Sequence, residues 1–252
     1  MLVALSLVVA GCANRGVHLP RDPGAPLADA APIHHAVSRQ CAGLRTLTAE
    51  IALSGRAAGQ RLRGRLVAGF GERDAMRIEA TAPFGAPVFI IVSTADRSTL
   101  LLPRDAAVLE GEPPGAVLEA LTGVALAPAD LRALLTGCVS LAPLAGGTAH
   151  ARGWVTLRFA DGSTMLLRRQ NGTWVVRAGA RAGWRVEYPV WRGTFPSAVR
   201  MESGDADLRL DLRQLETNVP IDAAAFTVVV PPGAERVTLA DLRRAGTLKE
   251  SR

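Results

Sequence analysis

The chain has 252 residues, of which 48% are apolar and 21% charged, and its net charge is +6. This composition is ordinary for a globular protein and excludes a wholly disordered chain. No apolar run approaches the about 20 residues that a membrane-spanning helix requires. Lys249 is the only lysine among 29 basic residues. Because the arginines are scattered through many short segments, their excess does not by itself choose between nucleic acid and anionic lipid as a partner.

The amino terminus has the pattern of a bacterial lipoprotein signal. Its first ten residues form an apolar stretch, which ends in the lipobox Val9–Cys12 (Val-Ala-Gly-Cys), where two small residues precede the thiol that receives diacylglycerol. We therefore predict a signal peptide at 1–11 and a lipidated Cys12 that holds the protein on a membrane. The alternative is an apolar terminus with a chance cysteine. No Lys or Arg precedes the apolar core, which we interpret as a true start upstream of Met1.

Residues 13–32 contain four prolines and few side chains that could pack. We interpret 12–32 as the lipidated cysteine and a semi-extended tether, with the folded part beginning near Ile33. In the sorting rule of enteric bacteria, an Asp after the lipidated Cys keeps a lipoprotein in the inner membrane. Ala13 and Asn14 lack that signal, which indicates the periplasmic face of the outer membrane.

Two further cysteines lie in the folded part. If Cys12 is acylated and the protein is exported, Cys41 and Cys138 remain as a pair in a compartment that permits disulfides. A bridge between them would close a loop of roughly one hundred residues. Two separately buried thiols are the alternative.

The folded part, 33–252, is predicted to be a single mainly β domain of the α+β class. An apolar stripe at helical spacing predicts a first helix that ends before Thr46; it consists of Ile33, Val37, Cys41 and Leu44. The pattern then changes to period two, most clearly in Asp207–Arg213, where three leucines alternate with four charged residues. Such strands bury one face and leave the other in water, which indicates an antiparallel sheet. Turn signals such as Asn171-Gly172 separate about ten strands.

One helical segment interrupts the strands. Prolines open two short apolar helices within 113–137, and Gly137 closes the second one. The strand Pro87–Val92 is apolar on both faces, so it requires cover on its second face as well. The paired helices are the predicted cover. We therefore expect a strongly curved antiparallel sheet, or an unclosed β-barrel, with helices on its concave side and a helical lid at 113–137. A last short helix is predicted from Leu239 to Arg244.

The sequence offers little support for an enzyme, a metal site or a cofactor. His34 and His35 are adjacent on a helix, where they point about 100° apart and do not chelate one metal together. We predict solvated surface histidines and no metal. The chain contains no nucleophile elbow, phosphate loop or Cys-x-x-Cys motif. Gly146-Gly147 has no following Lys-Ser or Lys-Thr, and we interpret it as a flexible connector.

Together these features resemble the LolA/LolB family of bacterial lipoprotein carriers and receptors. Leu53–Arg56 is similar to the Gly-Arg of the family's first strand, and Pro83, Phe84 and Gly85 are similar to the Pro-Leu-Gly turn of the outer-membrane receptor. The resemblance implies an unclosed antiparallel β-barrel with a helical lid, acyl chains bound between the two, and a turn that contacts the membrane. Phe84 stands where that receptor has leucine. The family uses no metal or nucleotide.

The leading hypothesis is a monomeric, lipid-anchored outer-membrane protein that binds lipidic or acylated ligands and receives, transfers or inserts lipoproteins. Residues from the doubly apolar strand and the lid are the predicted lining of its cavity: Phe89, Ile91, Leu118, Leu121, Leu131 and Leu135. The alternative is a structural or assembly lipoprotein that binds another envelope protein and has a packed interior. Nucleic acid is not expected, since an aromatic content of 4% leaves few stacking platforms and an exported chain does not meet the nucleoid.

Overall fold

A computed structural model describes residues 16–245 except 58, 73, 82–86, 141, 182 and 205. Within these residues the chain forms fifteen strands and four α-helices. The strands are β1 Ala25–Pro26, β2 Leu47–Ala57, β3 Gln60–Phe70, β4 Met76–Thr81, β5 Phe89–Thr94, β6 Arg97–Leu102, β7 Ala107–Glu112, β8 Leu144–His150, β9 Trp154–Phe159, β10 Thr164–Gln170, β11 Thr173–Arg181, β12 Trp184–Arg192, β13 Phe195–Ser203, β14 Ala206–Thr217 and β15 Glu235–Arg236. The helices are α1 Ala31–Ala42, α2 Pro114–Thr122, α3 Pro128–Thr136 and α4 Leu239–Ala245.

All the strands belong to one sheet in the order β1-β8-β9-β10-β11-β12-β13-β14-β2-β3-β4-β5-β6-β7-β15. Neighbouring strands are antiparallel, apart from the parallel pair of β15 and β7. β1 and β15 stand at the two edges, so the sheet is curved and unclosed, as predicted. The predicted number of about ten strands is wrong. Thirteen strands have six or more residues, and two edge strands have only two each.

The sequence prediction missed β8 because two glycines lie in it. Gly146 and Gly147 form part of a strand between β9 and the edge strand β1, and they are not a flexible connector. A Cβ on Gly147 would lie 2.9 Å from the Cβ of Ala30 and 3.1 Å from Cδ2 of Leu27. Glycine therefore lets the segment before α1 approach the sheet more closely than any other residue would.

One face of the sheet carries a single apolar core. In β14, Leu208, Leu210 and Leu212 are buried, whereas Asp207 and Arg213 on the other face are exposed. The predicted alternation is therefore confirmed in its clearest strand. The core side chains of β2 to β7 and β9 to β14 pack against the four helices in one cluster.

The helices lie where the apolar spacing predicts them. α1 buries Ile33, Val37 and Cys41. Gly123 and Gly137, with φ of 75° and 78°, end α2 and α3 in the left-handed conformation that glycine adopts without strain. None of the helices among the described residues combines the length and hydropathy needed to cross a membrane.

The second face of β5 is covered by a different part of the chain than predicted. Phe89 and Ile91 point to the helices, but Val92 points to the opposite face and is 5% exposed. Val92 pairs with Arg77, whose Nη1 donates to the carbonyl oxygens of Ala225 at 3.0 Å and Thr227 at 3.1 Å. The 3₁₀ turn Ala223–Phe226 thus packs on the convex face of β4 and β5.

Candidate functional site

The candidate site is the layer between the concave face of the sheet and the lid, which consists of α2 and α3. α2 contacts β6, while α3 contacts β13. Five other strands separate β6 from β13 in the sheet order, namely β14, β2, β3, β4 and β5. The lid therefore connects distant parts of the curved sheet, and the side chains of both helices face its apolar surface.

The six residues predicted to line a cavity all belong to this layer. Phe89 and Ile91 lie on β5, and the other four lie on the two helices of the lid, namely Leu118, Leu121, Leu131 and Leu135. Ile91 and Leu135 are 0% exposed, and Leu131 is half-buried against the same cluster. A side chain that borders a space large enough for water retains exposed area. In the described conformation, the space around Ile91 and Leu135 is therefore filled by protein atoms.

A tyrosine fixes the end of α3. The hydroxyl of Tyr188 donates to the carbonyl oxygen of Leu134 at 3.0 Å. Leu134 lies in the last turn of α3, where carbonyl groups lack partners within the helix. Tyr188 is 0% exposed, and burial raises the pKa of its hydroxyl well above the usual range. Its ring also meets Trp191 edge to face at 6.0 Å. The neutral hydroxyl thus satisfies a helix carbonyl inside the apolar layer.

A disulfide connects the lid to α1. The sulfur atoms of Cys41 and Cys138 are bonded, and their Cα atoms lie 5.7 Å apart. Cys41 is in the last turn of α1, and Cys138 follows Gly137 directly after α3. Of the two alternatives that the sequence leaves open, the structure has the bridge. The bridge joins two cysteines that are 97 residues apart in the sequence, and it holds the carboxyl end of α3 near α1.

A groove of about 370 Å³ opens beside this disulfide between α1, α3 and β11. Nη1 of Arg181 and Oδ1 of Asp130 are 2.6 Å apart at its rim. Asp161 accepts hydrogen bonds from the hydroxyls of Ser163 and Ser140, and the Ser163 hydroxyl is the main cause that lowers the pKa of Asp161. Sequence reasoning missed this polar rim. The sequence shows Asp161 only as part of a turn. The rim forms because α3 and β11, which are far apart in the chain, contact each other.

The predicted membrane contacts lie outside the described residues. These are the lipidation site Cys12 and the turn Pro83, Phe84 and Gly85. The flanks of that turn are described: the amide of Val88 donates to the carbonyl of Ala80 at 2.9 Å. The connection from β4 to β5 therefore starts and ends at the same end of the sheet as the β2–β3 hairpin, because Thr81 pairs with Arg65.

The histidines do not form a metal site in the described part of the chain, where no cluster of His, Cys, Asp or Glu is arranged to hold an ion. His18 and His35 are exposed, as predicted. His34 and His150 are half-buried, and the prediction of a solvated side chain is wrong for both. Nε2 of His150 lies 2.9 Å from Oγ1 of Thr156, because β8 and β9 are paired at this point.

The four tryptophans have different environments. Trp184 belongs to the core, and Trp174 and Trp191 pack at its margin. Trp154 lies outside that cluster and is covered by the guanidinium of Arg168, 5.7 Å from the ring centre. Ordinary packing therefore accounts for all four rings in the described conformation.

No family model and no curated protein matches this chain. Among solved structures it is similar to a DUF1329 family protein from Desulfovibrio piger, with 11% identity and a TM-score of 0.47 over 78% of this chain and 96% of the other. The lipoprotein LppX of Mycobacterium tuberculosis matches with 9% identity and a TM-score of 0.31, over 76% and 97%. A LolA superfamily protein from Nitrosomonas europaea matches with 13% identity and a TM-score of 0.46, over 77% and 97%.

Proposed function

We propose that the protein is a lipid-anchored envelope protein that binds acyl chains between its sheet and its lid and receives, transfers or inserts lipoproteins at the outer membrane. The observation that supports this most directly is the apolar layer between a curved, unclosed sheet and two helices of nine residues each. Such a layer can exchange protein side chains for acyl chains without leaving polar groups unpaired. Acylated Cys12 would hold the protein at the membrane, and the Phe84 turn would contact the bilayer.

The lid is held mainly by apolar contacts. Among the described residues, α2 makes no hydrogen bond to the sheet. α3 has three polar links: Tyr188 to the Leu134 carbonyl, Arg181 to Asp130, and Arg132 to the Gly71 carbonyl at 3.4 Å. Apolar contacts are not directional, so an acyl chain can replace them when the lid moves outward. Each methylene that leaves water contributes about 0.8 kcal/mol, which offsets the cost of displacing the helices.

The disulfide restricts how the lid can move. Because Cys138 is tied to Cys41 at the carboxyl end of α3, that end stays near α1. α2 instead contacts α4, and Nη2 of Arg243 lies 3.8 Å from Oε2 of Glu119. We therefore propose that the lid opens by movement of α2 and of the α2–α3 connection, while the end of α3 remains in place.

Native purification followed by mass spectrometry tests the proposal. We expect the chain, purified without denaturant, to carry or take up acyl chains, and a fluorescent fatty acid to bind in competition with them. Leu131→Ala should change the affinity for this probe, because Leu131 lies on the lid. The matched control is Leu215→Ala, which alters another half-buried leucine at the margin of the core, on β14. A chain that never binds an acyl chain or an acylated protein contradicts the proposal.

The second candidate function is assembly with another envelope protein. The full burial of Ile91 and Leu135 favours it, since a solid interior needs no ligand. In that case Phe89→Ala and Leu131→Ala would lower stability without changing any binding, and a stable partner would be recovered after cross-linking in intact cells. Probe binding that responds to Leu131→Ala would exclude this candidate.

A further inference from the structure

Four arginines meet at the β2–β3 hairpin on the convex face of the sheet. Arg56 and Arg61 are directly opposite each other in the β2–β3 register. Arg63 and Arg65 follow on β3 at intervals of two residues, so they lie on the same face. All four side chains are exposed. We refer to Arg56, Arg61, Arg63 and Arg65 as the arginine patch.

Three carboxylates close in register to the arginine patch are bonded to other arginines, while a fourth, Glu50, lies opposite Val67 and forms no ion pair with a described residue. Asp207 is opposite Arg56, but both of its oxygens accept hydrogen bonds from Arg200, at 3.0 and 2.9 Å. This pairing is the main cause that lowers the pKa of Asp207. On the flanking strands, Asp211 is paired with Arg209 and Glu79 with Arg77. Among the described residues, no carboxylate forms an ion pair with any arginine of the patch.

The arginine patch therefore carries an unfavourable charge arrangement. Like charges directly opposite each other on neighbouring strands destabilise a sheet. Successive residues on one face of a strand are about 7 Å apart, which is within the Debye length of about 8 Å at physiological salt. Each arginine consequently repels its neighbours. An external anionic surface removes this repulsion and adds attraction.

The charges elsewhere on the convex face are arranged differently. On β13 and β14, Arg200 is paired with both Glu202 and Asp207, and Arg209 is paired with Asp211. The opposite charges within these ion pairs largely neutralise each other. The arginine patch is therefore a group of four neighbouring arginines without an ion-pair partner among the described residues, although in the sequence the arginines look evenly scattered.

We propose that the arginine patch docks the protein onto anionic phospholipid headgroups. The guanidinium group of arginine presents a planar fork of donors that fits phosphate oxygens. Stable protein interfaces place apolar or aromatic anchors at their centre, whereas the patch has none and only Val67, 46% exposed, follows Arg65 on the same face. Attraction to a charged membrane needs no such anchor. The preference for a membrane over an acidic protein rests on the proposed envelope function.

Vesicle binding by the full chain tests this docking surface. The chain carries Cys12→Ala so that no acyl group contributes, and the vesicles are phosphatidylcholine alone or phosphatidylcholine with phosphatidylglycerol. Replacing two arginines, Arg61→Gln and Arg63→Gln, should lower partitioning onto the anionic vesicles roughly thirty-fold and leave neutral vesicles unaffected. Added salt should weaken the binding of the parent chain in the same way.

The matched control is Arg97→Gln with Arg192→Gln. Both residues are exposed, form no ion pair with a described residue, and lie at the opposite end of the sheet, in the β5–β6 and β12–β13 hairpins. This control has the same loss of charge and should bind anionic vesicles nearly as well as the parent. Equal binding by all three chains, or equal loss in both double variants, overturns the proposal. Retained vesicle binding with weaker binding to soluble polyglutamate would identify an acidic protein as the partner and also overturn it.

The same samples distinguish this proposal from the proposed function. Thermal unfolding confirms that both double variants are folded, and each is titrated with the fluorescent fatty acid. We expect the patch variant to bind the fatty acid normally. A chain that binds anionic vesicles through the arginine patch but takes up no fatty acid would retain the docking surface and contradict the acyl-binding function.

Discussion

At the scale of single residues, Tyr188 gives a direct optical measurement of the interior. It is the only tyrosine, and burial raises the pKa of its hydroxyl above the about 10 of an exposed tyrosine. The neutral form is favoured in the folded state, so this contribution to stability is present below pH 10 or so and is lost as the pH rises through the folded pKa. We expect no tyrosinate absorbance until the chain unfolds in alkali. Tyrosinate that appears while near-ultraviolet circular dichroism remains native would contradict the burial.

A second prediction at this scale concerns the repulsion between Arg56 and Arg61. Arg61→Thr should raise the free energy of unfolding by roughly 0.2 to 1 kcal/mol, because it removes a like-charge pair and introduces a residue that favours strands. The gain should shrink when salt is added. Arg97→Thr is the control, since Arg97 is exposed and has no arginine directly opposite, its partner in the register being Thr94. Urea denaturation at low and high salt measures both variants, and a loss of stability in Arg61→Thr would show that no repulsion exists.

At the scale of elements, the two glycines of β8 provide a matched pair of substitutions. A Cβ on Gly147 would lie 2.9 Å from the Cβ of Ala30, so Gly147→Ala should push the segment before α1 off the sheet and cost about 1 to 3 kcal/mol. A Cβ on Gly146 meets only the end of the flexible Arg158 side chain, at 3.3 Å. Gly146→Ala should therefore be tolerated. Chemical denaturation and limited proteolysis compare the two variants, and equal effects would be inconsistent with close packing at Gly147.

Elements were predictable from sequence where local pattern determines them. The stripe of Ile33, Val37 and Cys41 gave the first helix, and alternation gave β14, because each pattern repeats at the period of one regular structure. β8 was missed, since only the contact of Gly147 with Ala30, in the segment before α1, explains a glycine in this strand. The cover over Val92 was assigned to the wrong part of the chain for a similar reason. The turn Ala223–Phe226, far along the chain, packs over Val92, and the spacing of apolar residues in the sequence does not reveal such a contact.

At the scale of the whole molecule, the site could be predicted only in part. The sequence indicated an apolar layer under a helical lid, and it left open whether Cys41 and Cys138 are bridged. The arginine patch could not be predicted, because it depends on the register that brings Arg56 opposite Arg61 and on the pairing of Asp207 with Arg200. Cys12 and Phe84 stay predictions, as does the filling of the interior by acyl chains.

The disulfide carries the last prediction, since it links two helices of the concave side. Replacing it by Cys41→Ser with Cys138→Ser opens a loop of 97 residues, for which the chain-entropy model gives about 4 to 5 kcal/mol of lost stability. The end of α3 would then be held to the rest of the protein mainly by apolar contacts and by the Tyr188 hydroxyl. If lid movement limits ligand exchange, the fluorescent fatty acid should dissociate faster from this variant than from the parent.

Reduction of the parent chain with a thiol reductant under native conditions is the matched control, because it breaks the same bond and leaves Cys41 and Cys138 in place as thiols. It should reproduce both the lower denaturation midpoint and the faster exchange of the double variant. Faster exchange with little loss of stability would indicate that the bridge acts mainly on the lid. Unchanged exchange in both samples would contradict a disulfide that restricts the lid, whereas the proposed movement of α2 and of the α2–α3 connection would still admit the ligand.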